Sequence, residues 1–108
     1  MSVVYKNVMM KPNDNVATAL MKIPAGAVVR VICQDKGFEI VLKQEIEFGH
    51  KFAVVPIQAG EDVLKYGEVI GVASQAILPG EHVHVHNVEG KRGRGDRTHA
   101  NESSVMGI

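Results

Sequence analysis

Large aromatic side chains are scarce in this chain, which has no tryptophan, three phenylalanines and two tyrosines. Any core must therefore be aliphatic, filled mainly by Val, Ile and Leu. Cysteine is reduced to Cys33, which excludes an internal disulfide and a zinc site built from several thiolates. Cys33 closes the largely apolar run VVRVIC (28–33) and reads as a small buried hydrophobe. Net charge is missing as well: twelve basic residues balance twelve acidic ones. Whole-chain electrostatics thus give no reason to expect nucleic acid or a membrane as the partner. No apolar run approaches the ~18 residues of a membrane span. The opening MSVVYKNVMM lacks the basic start and apolar centre of a secretory leader, so the expected location is cytoplasmic. With 108 residues and 45% hydrophobic composition, the chain has the length of one soluble globular domain.

Glycine and proline are what the sequence has in quantity, and they cut residues 1–88 into short pieces rich in Val and Ile. Such pieces predict strands rather than helices. VVRVIC (28–33) and FEIVLK (38–43) flank Gln34-Asp35-Lys36-Gly37 and predict a β-hairpin with Phe38, Ile40 and Leu42 on its core face. A helix after Asp14-Asn15 is the weaker reading, since Val16, Thr18 and Leu20 alternate with Ala17, Ala19 and Met21.

One template recurs: Ala19-x3-Ile23-x2-Gly26-x2-Val29, then Ala53-x3-Ile57-x2-Gly60-x2-Val63, then Ala73-x3-Ile77-x2-Gly80-x2-Val83. Leu42, Ile46, Gly49 and Phe52 follow it with apolar substitutes. Each copy has one mechanical sense: a strand ends on a buried Ile, glycine takes a conformation other residues resist, and a new strand starts. Repeated corners predict a folded-over, mainly β domain over residues 1–88, and the unequal spacing of the copies argues against a solenoid. Residues 89–108, rich in Gly and Arg at their start, read as a flexible tail.

The stretch GEHVHVHN (80–87) carries the chemistry. On a strand, His82, His84 and His86 share one face, and Val83 and Val85 turn inward on the other. Neighbouring histidines would lie about 6.7 Å apart at Cα, whereas metal–nitrogen bonds are only about 2.0 to 2.1 Å. An adjacent pair can hold one ion; all three cannot unless the strand bends. His50, just after a repeat glycine, is the further ligand available from elsewhere. Residue types alone leave metal binding, acid–base work and a solvated strand edge all open.

Asp14-Asn15-Val16-Ala17, Gly49-His50-Lys51, Lys65-Tyr66-Gly67-Glu68 with Ile70-Gly71, and Gly80 through Asn87 occur in an order and spacing that resembles the small domain of the altronate and galactarate dehydratase family. The small unit of sulfolactate sulfo-lyase is similar. The resemblance covers about residues 8–88 and implies a SAF-type β-clip of short strands joined by glycine turns. It implies a small subunit acting beside a large dehydratase or lyase subunit. The family's reaction is β-elimination from a sugar acid or other 2-hydroxy acid, ending in a 2-keto acid. A divalent metal, iron(II) or manganese, would be the cofactor. On that resemblance His84 and His86 are the catalytic pair and, with His50, the metal ligands; Lys65, Tyr66, Asn87 and Lys51 face the substrate. A stand-alone acid- or carbohydrate-binding module without activity is the competing expectation. Nucleic-acid contact through Lys91, Arg92, Arg94 and Arg97 is a weak third, lacking any nearby aromatic. Short strand edges leave self-association of the isolated chain open.

Overall fold

The computed structural model describes residues 4–90, and every regular element in that range is a strand. The mainly β expectation is therefore met. The tail expected over 89–108 lies outside the described residues from position 91 onward. The strands are β1 (Asn7–Val8), β2 (Val16–Ala19), β3 (Val28–Cys33), β4 (Lys36–Val41), β5 (Lys51–Ala53), β6 (Asp62–Lys65), β7 (Glu68–Ala73), β8 (His82–Val83) and β9 (Val88–Glu89). They form three antiparallel sheets: β1-β2-β5-β8, β3-β4 and β6-β7-β9.

The repeated template becomes four corners of one design. Pro24, Glu47, Gln58 and Leu78 each offer a carbonyl to the N–H three residues on, closing turns whose third residue is Gly26, Gly49, Gly60 or Gly80 at φ of 84, 86, 91 and 91°. Those values are the left-handed third position of a type II turn. The corners then pair. Ile23 and Ile46 exchange both backbone hydrogen bonds at 2.9 Å, and Ile57 and Ile77 do so at 2.8 Å. Gly26 N–H donates to Leu42 and Gly49 N–H to Ala19, while Gly60 donates to Ala73 and Gly80 to Ala53, all at 2.8 Å. Each glycine thus closes onto the residue that opens its partner copy, a reciprocal arrangement that leaves neither corner with bare backbone groups.

Strands β2 and β5 sit between two apolar clusters, and their alternation serves both. Ala17, Ala19, Phe52 and Val54 face a cluster with Ile23, Val29, Val31, Leu42 and Ile46. Val16 and Ala53 face a second with Ile57, Val63, Ala73, Ile77 and Val83. All four bridging isoleucines are essentially inaccessible. Cys33 is buried in the first cluster, as expected.

Two local expectations need correction. The hairpin link is the pair Gln34-Asp35 alone, because Lys36 pairs with Cys33 and Gly37 with Ile32 inside the ladder. Gln34 at φ 57° makes so short a reversal possible. On its core face Ile40 and Leu42 are buried and Phe38 half-buried. Val85, expected to point inward beside Val83, is instead 67% exposed. The strand ends at Val83, so the alternation that would have buried Val85 does not continue.

Candidate functional site

Val83 pairs with Lys51 and His82 with Phe52, which lays β8 along β5 as the edge of the four-stranded sheet. Asn87 then turns the chain. Its Oδ1 accepts from the His84 N–H at 3.0 Å and its Nδ2 donates to the His82 carbonyl at 2.8 Å. The Asn87 N–H donates to the His84 carbonyl at 3.1 Å. A short polar side chain that satisfies its own neighbours' backbone competes with the ladder, and here it wins.

The bend gathers the imidazoles. His50, in the corner loop before β5, brings Nδ1 to 2.9 Å from His82 Nε2. Ring centroids lie 5.1 Å apart for His50 and His82, 4.9 Å for His50 and His84, and 5.5 Å for His82 and His84. One ring nitrogen from each of the three falls within 4.8 Å of the others. His86 packs its ring on His82 at 5.4 Å and lies outside that group of three.

Burial and crowding disfavour the charged forms of His82 and His84. The His82 imidazolium is disfavoured first by desolvation, then by His50, His86, His84 and Lys51, which lowers its pKa to about 4. His84 is shifted the same way, by burial first and by Lys51 as its strongest charged neighbour. A neutral imidazole is the form that binds metal.

The donor set fits a cation. Two nitrogens bonded at ~2.1 Å and roughly at right angles around one ion would be about 3 Å apart, close to the His50–His82 separation. His84 Nδ1 is buried and has no hydrogen-bond partner among the described residues. Such an orphan asks for a ligand.

Beside the histidines lies a cationic pair. Lys51 is only 4% exposed, and its pKa is lowered to about 8, by burial first and then by Lys65. The Lys65 ammonium sits 5.0 Å from the centre of the Tyr66 ring. Tyr66 and Gly67, at φ 56 and 80°, make the two-residue turn between β6 and β7. Asp14, itself buried, holds that turn: its carboxylate accepts from Tyr66 N–H at 2.9 Å, Gly67 N–H at 2.7 Å and Lys11 N–H at 3.1 Å. Asn15 clamps the preceding strand through Asp62 and Leu64 at 2.9 and 2.8 Å. The separated pieces Asp14-Asn15 and Lys65-Tyr66-Gly67 are thus one structural unit that places Lys65.

Of the residues singled out from sequence, the fold brings His50 and His84 together, sets His86 against His82 outside that group, and places Lys51 and Lys65 close by. Asn87 is 2% exposed, and both atoms of its amide are engaged with the loop backbone. Tyr66 is 43% exposed at the rim. Sequence reasoning gave no role to Thr18, which pairs across the sheet with Lys51 and buries an unpartnered hydroxyl. It also left His82 out of the ligand set. The signal for His82 was its place between two valine-flanked turns, but only the bend makes it count.

The chain is similar to proteins of one known family. Residues 5–91 match the altronate/galactarate dehydratase SAF domain. An altronate dehydratase of Escherichia coli is 45% identical over 74 residues, 68% of this chain and 14% of that protein. The (2R)-sulfolactate sulfo-lyase subunit alpha of Chromohalobacter salexigens is 45% identical over 62 residues, 57% of this chain and 66% of that protein. Its counterpart in Paracoccus pantotrophus is 39% identical over 62 residues, 92% of its length. The match to the altronate dehydratases therefore spans about one seventh of their length.

Proposed function

This chain belongs to the altronate/galactarate dehydratase SAF-domain family, and from that premise we propose that it is the small subunit of a lyase eliminating water or another group from a 2-hydroxy acid. The large subunit supplies the rest of the site. The observation that carries this reading is the convergence of one ring nitrogen each from His50, His82 and His84, beside which His84 Nδ1 is buried with no hydrogen-bond partner among the described residues. Homology to alpha subunits of sulfo-lyases supports a second chain, as does the lack of any carboxylate in the histidine group.

Elimination begins with loss of the proton beside a carboxylate, which leaves an enediolate of high charge. Iron(II) or manganese held by His50, His82 and His84 would supply Lewis acidity to that charge. Asn87 fixes the loop so that the rings keep their orientation, and Asp14 fixes the turn that carries Lys65. Lys51 and Lys65 draw the anionic substrate by charge, and Tyr66 shields the rim. Disfavoured as imidazolium, the rings of His82 and His84 offer their neutral nitrogens to a metal.

The test pairs the purified chain with a large lyase subunit from the same organism and assays altronate, galactarate and sulfolactate with iron(II) or manganese. His84→Ala and His82→Ala are each expected to lower turnover at least about a hundredfold, in line with loss of a general acid–base or ligand group, with little change in melting temperature. Full activity of the chain alone overturns the subunit reading. Metal-independent binding of the acids with no turnover in any combination assigns the chain to the binding-module class.

A further inference from the structure

At one point of the sheet a buried hydroxyl without a hydrogen bond among the described residues lies next to a buried lysine. Thr18 and Lys51 are paired residues on adjacent strands β2 and β5, so their side chains share a face. It is the face of Val16, Ala53 and Val83, opposite the one on which His82 pairs with Phe52. Thr18 is 6% exposed, and its Oγ1 is buried with no hydrogen bond among the described residues. Lys51 is 4% exposed, and the two ion pairs among the described residues join Lys22 to Glu45 and Arg30 to Glu39 instead. Lys65 adds a second positive charge, and His84 stands nearest to Lys51 in electrostatic terms.

Two cations crowded together beside an unused hydroxyl form a costly arrangement for a chain with no ligand, since a buried charge needs a counter-charge and a buried hydroxyl needs a partner. One anion would meet all three needs. We infer that Thr18, Lys51 and Lys65 form a carboxylate seat, entered past His84, in which the substrate's carboxylate accepts from the Thr18 hydroxyl and the Lys51 ammonium. The donors are few: one hydroxyl and one buried ammonium, with Lys65 at the mouth. The hydroxyl and the ammonium can each meet one oxygen of a carboxylate, whereas a sulfonate brings a bulkier head with a third oxygen into the same place. Thr18 is the residue this assigns anew, as a substrate-binding side chain. The inference builds on the lyase reading above by specifying where the acid group lies.

The experiment uses the full metal-stripped chain, labelled for NMR, titrated with glycolate, with methanesulfonate and with chloride at equal ionic strength. Glycolate is expected to give saturable shifts centred on Thr18, Lys51 and Lys65, and the other two weaker or none. Thr18→Val should weaken glycolate about tenfold, the loss of one hydrogen bond to a charged group, while raising the melting temperature because an orphaned hydroxyl is removed. Thr18→Ser should restore binding, and Lys51→Met should abolish it in a chain whose spectrum remains that of the folded protein. Unsaturable shifts, shifts centred elsewhere, glycolate binding unchanged in Thr18→Val, or tighter binding of methanesulfonate overturn the seat. Because no metal or partner is present, failure here leaves the histidine-based reading standing. Conversely, full turnover of His84→Ala in the assembled enzyme would sink that reading without touching the glycolate result.

Discussion

The corners at Gly60 and Gly80 are copies of one template and hydrogen-bond to each other, yet the chain leaves them in different ways. Both end their turns with a glutamate whose Oε1 accepts from the N–H three residues earlier, Glu61 from Gln58 at 2.7 Å and Glu81 from Leu78 at 2.9 Å. After Gly60 the chain runs as β6 and is paired along its length with β7. After Gly80 it pairs for two residues and is then pulled into a turn by Asn87. Of the two groups with buried, unpartnered side-chain atoms among the described residues, His84 lies in the second region and Thr18 on β2, across β5 from it. One corner feeds a strand that stays paired to its end, with a single register shift between Val63 and Leu64. Its copy departs from that course, and departures without local compensation are where a site is expected.

The largest effect that tests this comparison is at the glycines themselves. Gly80→Ala would force a side chain into a left-handed residue and drive its Cβ into the backbone carbonyl of Val41, so a loss of about 3 kcal/mol or more is expected. Gly26→Ala meets open space, and only the φ penalty of about 1–2 kcal/mol remains. Urea denaturation of both variants measures the gap; equal losses would mean that the Gly80 corner is no more constrained than its relatives.

A smaller loss, about 2 kcal/mol, is expected for Asp14→Ala, which strips the partners from three backbone N–H groups of which two lie in the Tyr66-Gly67 turn. Beyond stability, this variant should mobilise Lys65 and lower substrate affinity in the assembled enzyme. An unchanged KM would separate the Asp14 clamp from the site.

The smallest effects are in the pH dependence. His82 is deprotonated more readily folded than unfolded, so between about 6.5 and about 4 the unfolded chain binds the extra proton and stability falls as pH falls. Lys51 acts in the same sense higher up: stability rises from about pH 8 to about 10.5, where only the unfolded lysine still holds its proton. His82→Asn should flatten the acid limb and Lys51→Met the alkaline one in melting curves taken across pH. A metal that occupies the histidines should steepen the acid limb, because protons then compete with it.

Much of the scaffold was legible because its causes are local. A type II corner needs glycine at one position, and the buried Ile three residues earlier marks each corner in the sequence. Strand alternation around Val16–Ala19 and the 28–43 hairpin could be read in the same way. Which copy pairs with which could not, because reciprocal hydrogen bonds between Ile23 and Ile46, or Ile57 and Ile77, depend on how the intervening chain folds back. Nor could the fate of Val85: period-two alternation holds only while a neighbouring strand exists, and β5, antiparallel to β8, begins at Lys51, which already lies opposite Val83.

The sequence by itself determined a glycine-cornered aliphatic β domain and the presence of imidazoles at 50, 82, 84 and 86 in one motif-bearing chain. The tertiary structure decided which of those imidazoles converge. A straight strand would have held His82 and His84 apart. The Asn87 side chain, by replacing ladder bonds with its own, folds the strand end so that His84 and His82 meet His50, while His84 Nδ1 and the Thr18 hydroxyl stay buried without a hydrogen-bond partner among the described residues.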